Sequence, residues 1–217
     1  MSNKISTKEK WNDWAIKLQA IAQAGLYYTK NEFERERYRE IRKIACEILA
    51  EHSDIEIDQI TEYFTIETGY QTPKMDSRSV CFKDGKILLA QEKFGKWSLP
   101  GGWVDIDKKL SENLIKEAKE EAGADVVPSF VIAIHDWKTH VGMEFKHLPF
   151  QICKIFVMCE LKDINFAGNS ETLQADFFEA DNLPDLALGK NTREQIDICF
   201  KAYEAFKAGK HWDVVFD

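Results

Sequence analysis

The chain has 217 residues, of which 44% are hydrophobic, 30% charged and 12% aromatic, enough for one substantial folded domain and a small appendage. Its net charge of −8 sets up a field that repels polyanions and argues against a duplex-DNA binder held by clustered Lys and Arg. Nucleotides stay open as ligands, because a divalent cation neutralises carboxylates and phosphate together.

The first residues, MSNKISTKEKW, lack the apolar core of a signal peptide. No stretch approaches the roughly 20 apolar residues of a membrane span, so a cytoplasmic address is expected. From about Lys8 to Glu51 the hydrophobic period is helical. Trp11, Trp14, Ala15, Leu18, Ile21 and Ala22 form one stripe. The stretch from Gly25 to Asn31 interrupts it, and Phe33, Tyr38, Ile41, Ala45, Ile48 and Leu49 form a second. The polar face of the second, ERERYREIRK, alternates charge sign, which reads as solvated or dimer-forming rather than as a nucleic-acid reader. A helical hairpin over residues 1–58 is therefore expected. It is too small to stand alone, so its apolar face must pack on the rest of the chain or on a second copy, and a homodimer through it is expected.

From Ile60 to the C-terminus, residues 59–217 read as a second domain, β-rich with two helices. TEYFTIETG reads as a short strand. SRSVCFKDGKILLAQE is two apolar runs around Lys83-Asp84-Gly85-Lys86, a hairpin signal. WSLPGGWVD runs as a strand into a Gly-Gly turn. SENLIKEAKEEAGADV reads as a helix with Ser111 as N-cap and Gly123 at its stop. SFVIAIHDW, FQICKIFVMCEL and DFFEA follow as strands, and NTREQIDICFKAYEAFKAG as a closing helix. The class is α+β, an α/β/α sandwich around a mixed sheet. The five cysteines include no CxxC pair and sit in apolar runs, as expected of buried free thiols in a reducing compartment.

The chemistry concentrates between Gly101 and Ala124. On a helical wheel Glu117, Glu120 and Glu121 share an arc of roughly 100°, with Leu114, Ile115, Ala118 and Ala122 beside them. Carboxylates so crowded repel one another unless a cation sits among them, and Mg2+ is hard and prefers oxygen. A solvated acidic face is the other reading of the same spacing.

Gly102, Glu117, Ala118, Glu120, Glu121, Gly123 and Ala124 fall in register with the signature of the Nudix hydrolase family, and the lead-in LPGGWVD is typical of it. The resemblance covers roughly Asp76 to Ala208. Two positions depart: Lys108 stands where the first signature Glu is expected, and Lys116 replaces an Arg. Lys116 keeps the charge that orients neighbouring carboxylates but loses the bidentate fork. The N-terminal hairpin and the stretch SETLQADFFEADNLPDLALGKNTREQI resemble a bacterial subgroup with a helical extension, known or described as CDP-choline and ADP-ribose pyrophosphatases. Members of that subgroup commonly lack the first Glu.

The resemblance implies a Nudix-type sandwich and hydrolysis of the pyrophosphate bond in a nucleoside diphosphate linked to a small group, CDP-choline before ADP-ribose. Trimming of RNA and a non-catalytic nucleotide sensor are the alternatives. It implies Mg2+, with Mn2+ as substitute, held by Glu117, Glu120 and Glu121 and by the Gly101 backbone. Glu120, or Glu171 from a later loop, serves as base. Trp103 either stacks on a nucleobase or packs on the hairpin. His135 and Lys138 are candidates for lining the nucleotide pocket, with an exposed strand end as the competing reading.

Overall fold

In the computed structural model, which describes residues 7–142, 150–168 and 171–217, the chain divides into two compact units. The first holds α1 (Thr7–Tyr28), α2 (Glu32–His52) and α3 (Ile57–Thr65). Asn31 caps α2, its side chain accepting from the Phe33 and Glu34 amides at 2.9 and 3.4 Å. The Arg35 guanidinium closes the end of α1 by donating to the Leu26 and Thr29 carbonyls. Gly25 does not break the helix. It lies inside α1 because a Cβ there would meet the Tyr38 ring at 2.4 Å, so glycine lets the two helices approach. Ala15, Ala45, Cys46, Leu49, Ile60 and Phe64 form the core of this unit.

The segment expected as a strand from Ile60 is the helix α3. Its apolar residues Ile57, Ile60 and Phe64 keep a helical spacing, and Ile60 and Phe64 are buried. The Thr61 and Thr65 hydroxyls donate back to the carbonyls of Ile57 and Thr61, satisfying β-branched residues within a helix. A boundary near residue 58 was expected; α3 instead belongs with the helices, and the second unit starts at Lys74.

The second unit is a seven-stranded mixed sheet of β1 (Lys74–Lys83), β2 (Lys86–Glu92), β3 (Trp97–Ser98), β4 (Ala124–Asp136), β5 (Ile152–Ile164), β6 (Thr172–Phe178) and β7 (Val215–Phe216). Strand order is β3-β2-β1-β5-β4-β7, with β6 also paired to β2. β1 and β5 run parallel, while β1–β2 is the expected hairpin, with Asp84 at φ 52° and Gly85 at φ 79°. Side chains alternate between faces as the pleat requires. Val80, Ile87, Leu89, Phe156 and Met158 pack with Ile196, Cys199 and Ala202 of α6 (Arg193–Lys207). Cys81, Leu88, Ile155 and Val157 pack with Leu114, Ala118 and Ala122 of α4 (Leu110–Ala122).

The sheet is thus sandwiched between α4 and α6, as expected. The short α5 (Trp137–His140) and β7 were not anticipated. Among the described residues all five cysteines are free, and no helix is long and apolar enough to cross a membrane.

Candidate active site

The site grows from the turn between β3 and α4. Leu99 to Val104 runs back along β1, with Ser79 N–H donating to the Pro100 carbonyl, Ser77 N–H to Gly102 and Val104 N–H to Met75. Gly101 has φ 140°, and a Cβ there would lie 1.9 Å from the Ser77 carbonyl oxygen. Only glycine lets the turn press this closely on β1. Buried Asn113 fastens the return: its amide donates to the Ser77 hydroxyl and the Trp103 carbonyl, and its oxygen accepts from Asp105 N–H.

α4 starts two residues earlier than Ser111 would place it. Lys109 is the N-cap, and its N–H donates to the Glu112 carboxylate at 3.0 Å; the side chain three residues on serves where Ser111 was expected to. Gly123 closes the helix in the left-handed conformation, as expected. Ala118 and Ala122 are buried against the sheet, which turns the carboxylates toward the Gly101–Gly102 turn.

Glu121 accepts a hydrogen bond from Gly101 N–H at 2.7 Å. Burial pushes its pKa above the ordinary carboxylate value and Glu117 adds to the rise, against the pull of Gly101 N–H, Arg78 and Lys190. Glu117 is mostly buried and lies under the turn, 3.5 Å from where a Gly102 Cβ would stand. Lys116 reaches Asp105 at 2.9 Å, Glu117 at 3.2 Å and Glu120 at 3.8 Å. Its hydrogen bonds to Asp105 and Glu117 raise its pKa, so it stays charged. The lysine therefore does orient its acidic neighbours. Glu120 stands at the exposed rim, its side chain 60% accessible.

The expected trio is brought onto one helix face but not to one point. Among the described residues no three His, Cys, Asp or Glu side chains converge as a ready cation cage. Lys116 draws Glu117 and Glu120 to itself, while Gly101 holds Glu121. Lys108, at the departing signature position, pairs with Asp107 at 2.7 Å.

The remaining candidates are dispersed. Trp103 is half exposed and lines a cleft of about 330 Å³ with Lys74, Met75 and Val104. Glu171 is exposed, one residue ahead of β6. Lys138 is half-buried in α5, its N–H donating to Asp136. His135 is buried rather than lining an open pocket, because its ring stacks on His140 at 4.0 Å and meets the Gln195 amide at 3.3 Å. Burial, with His140 adding, lowers its pKa and keeps it neutral near pH 7.

With this geometry in place, comparison with known proteins decides the family. The NUDIX domain profile matches residues 73–197, more than half of the chain. The chain belongs to the Nudix family. A second profile, described as a UDP-X-like N-terminal oligomerisation domain, matches residues 9–64 of this Nudix protein. A Bacillus subtilis relative, YjhB, named provisionally as an ADP-ribose pyrophosphatase, is 40% identical over 90% of this chain and 93% of its own. Among solved structures, an ADP-ribose pyrophosphatase from Streptococcus suis is 44% identical, with a TM-score of 0.60 over 67% of this chain and all of its own. A UDP-X diphosphatase is 29% identical, with a TM-score of 0.60 over 98% of this chain and 100% of its own. The chain is thus a Nudix-type hydrolase with an N-terminal helical unit.

Sequence reasoning passed over several polar residues of this Nudix domain: Asp76, Arg78, Lys154 and Asn191, all buried. Arg78 and Lys154 did leave a signal, since each is a charged residue inside an apolar strand run, SRSVCF and ICKIFVMC. A charge in such a run needs a buried partner.

Proposed function

We propose that this Nudix hydrolase splits the pyrophosphate bond of a nucleoside diphosphate linked to a small group. The observation that carries the reading is the placement of Glu117 and Glu121, one helical turn apart, against the Gly101–Gly102 turn within the family signature.

A divalent cation suits this donor set. Both groups are hard oxygen donors, and the raised pKa of Glu121 marks negative charge that burial leaves under-compensated. Glu117 and Glu121 would hold Mg2+, or Mn2+ in its place, with the Gly101 carbonyl and Glu120 as further donors. Such a cation, when bound, neutralises the diphosphate and makes a water more acidic. The chain's own residues do the rest. Lys116 pairs with Glu117 at 3.2 Å and holds its carboxylate in place, and Gly101 N–H fixes the Glu121 carboxylate. Glu120 at the rim and Glu171 ahead of β6 are the proposed bases that accept the proton from the attacking water. Trp103 offers an exposed ring beside the turn on which a nucleobase can stack. Lys138 and His135 have lower standing as substrate contacts, because His135 is buried.

The relatives' names favour nucleoside diphosphate conjugates. ADP-ribose ranks first because YjhB covers nearly the whole chain, a UDP-linked group second, and CDP-choline, expected first from the sequence, third. The N-terminal unit is proposed to join two copies, in keeping with its oligomerisation profile and with Trp14, Phe33 and Ile44 left exposed in the single chain. The test is nucleoside monophosphate release with Mg2+ from ADP-ribose, a UDP-sugar, CDP-choline and a short RNA. Release from a conjugate supports the proposal. Release from RNA alone favours nucleolytic trimming, and binding without any release leaves a sensor.

A further inference from the structure

Beneath the Gly101–Gly102 turn lies a buried row of ionisable side chains that the family signature does not include. Asp76, Lys154 and His135 stand opposite one another on β1, β5 and β4, with Asp76 aligned to Lys154 and His135 to Lys154. All three are 5% exposed or less, as is Arg78, two residues along β1 from Asp76. Arg78 grips Asp76 through two hydrogen bonds, 2.8 and 2.6 Å, and Lys154 meets the same carboxylate at 3.2 Å. Burial alone would raise the pKa of Asp76, but the two cations hold it below the ordinary value.

An Arg and a Lys sharing one carboxylate in the interior is a costly way to stabilise a fold, since apolar residues of similar volume commonly do as well or better. What the cluster touches supplies the reason for it. Arg78 Nη1 donates to the Leu99 carbonyl at 3.1 Å. The Leu99 N–H donates to Asn191 Oδ1 at 2.8 Å. The segment bearing Asn191 is itself held, because Lys154 Nζ donates to the Lys190 carbonyl at 2.5 Å. Leu99, two residues before Gly101, is therefore clamped on both its backbone groups by side chains that lead back to Asp76 and Lys154. Arg78 also attracts the Glu121 carboxylate electrostatically.

We infer that Arg78 and Asn191, braced by Asp76 and Lys154, are positioning residues that fix the Leu99–Gly101 backbone so that Gly101 N–H meets Glu121. The inference deepens the hydrolase reading of the same site. It differs from a general role in stability because it predicts a local displacement at Gly101 in a protein that is still folded.

The test is made on the full chain labelled with 15N-glycine, comparing wild type with Arg78→Lys, Arg78→Met and Asn191→Ala. Arg78→Lys keeps the charge but not the fork that spans Asp76 and Leu99. The Gly101 amide is expected to shift upfield and to exchange about tenfold faster in each variant, as its charge-assisted hydrogen bond weakens. Gly85, in the distant hairpin turn, serves as the internal control. In the same variants kcat on ADP-ribose is expected to fall about 100-fold with KM little changed, the scale of a displaced reacting group, and Arg78→Lys to retain more rate than Arg78→Met. A Gly101 signal and exchange rate identical to wild type in all three variants would overturn the inference. A wild type that hydrolyses no conjugate would instead remove the hydrolase reading, while the glycine spectra still decide the positioning role.

Discussion

Replacing Gly101 by Ala is the most direct perturbation of the turn. At φ 140° an L side chain is strained, and its Cβ would sit 1.9 Å from the Ser77 oxygen and 2.9 Å from the Ser77 carbonyl carbon. Those atoms are backbone and cannot rotate away. Backbone strain alone costs roughly 1–3 kcal/mol. Relief requires the turn to lift from β1, which endangers the Ser77 N–H bond to Gly102 and the Gly101 N–H bond to Glu121. Each such bond contributes about 1 kcal/mol, more where a carboxylate accepts. The sum is about 3–5 kcal/mol, a large part of the ~5–15 kcal/mol typical of folded domains. Gly101→Ala is therefore expected to lower the Tm by roughly 10 °C and to reduce turnover in the fraction that stays folded. Gly85→Ala is the matched control: φ is 79° there, but nothing lies within 4 Å of the added Cβ, so only about 1 kcal/mol is expected. Thermal unfolding by circular dichroism reads both. Equal Tm values for the two variants would refute the close approach of the turn to β1.

Other consequences concern charge and assembly. Burial, with Arg78 adding, brings the Lys154 pKa from 10.5 down to about 7. Between those values the unfolded chain holds a proton that the folded chain has released, so stability from this group rises with pH from about 7 to 10.5. Below pH 7 its cost is fully present, on the order of 5 kcal/mol. Lys154→Met should flatten the rise in urea midpoint between pH 6.5 and 8.5; an unchanged pH profile contradicts the assignment. Lys116→Met removes the cation shared by Asp105, Glu117 and Glu120, and is expected to lower kcat/KM about tenfold with little change in Tm. Wild-type kcat/KM in that variant would mean Glu117 needs no orienting partner. In sedimentation, the chain should run at twice its 25.1 kDa mass, and Trp14→Glu should shift it toward a single chain. A wild type sedimenting as one chain at micromolar concentration removes the dimer.

Local signals in the sequence reported local structure well. Asp84-Gly85 marked the β1–β2 hairpin because its positive φ angles select those residues, and Gly123 marked the end of α4 for the same reason. Helical spacing put Glu117, Glu120 and Glu121 on one face. It could not show that Lys116 would divide them, since that depends on where Asp105 lies after the turn. The aromatic run around Tyr63-Phe64 fits a strand as well as a helix, because short apolar segments carry both periods; burial of Ile60 and Phe64 in the helical core decides for α3. Gly25 suggests a break by its residue type, although its role is steric and depends on Tyr38 of the next helix. The row of Asp76, Lys154 and His135 was illegible for a different reason. Its members are far apart in sequence and meet only through the parallel pairing of β1 with β5 and the antiparallel pairing of β4 with β5.

Glu117 and Glu121, set against the Gly101–Gly102 turn, are proposed to hold a divalent cation for pyrophosphate hydrolysis. The measurement that tests it is AMP release from ADP-ribose by wild type, Glu117→Gln and Glu121→Gln across a Mg2+ titration, with EDTA as the zero point. Wild type is expected to release AMP in a reaction that EDTA abolishes, and each variant to lose at least about 100-fold, which added Mg2+ does not fully restore. Release that persists in EDTA, or variants that match the wild-type rate, would contradict it.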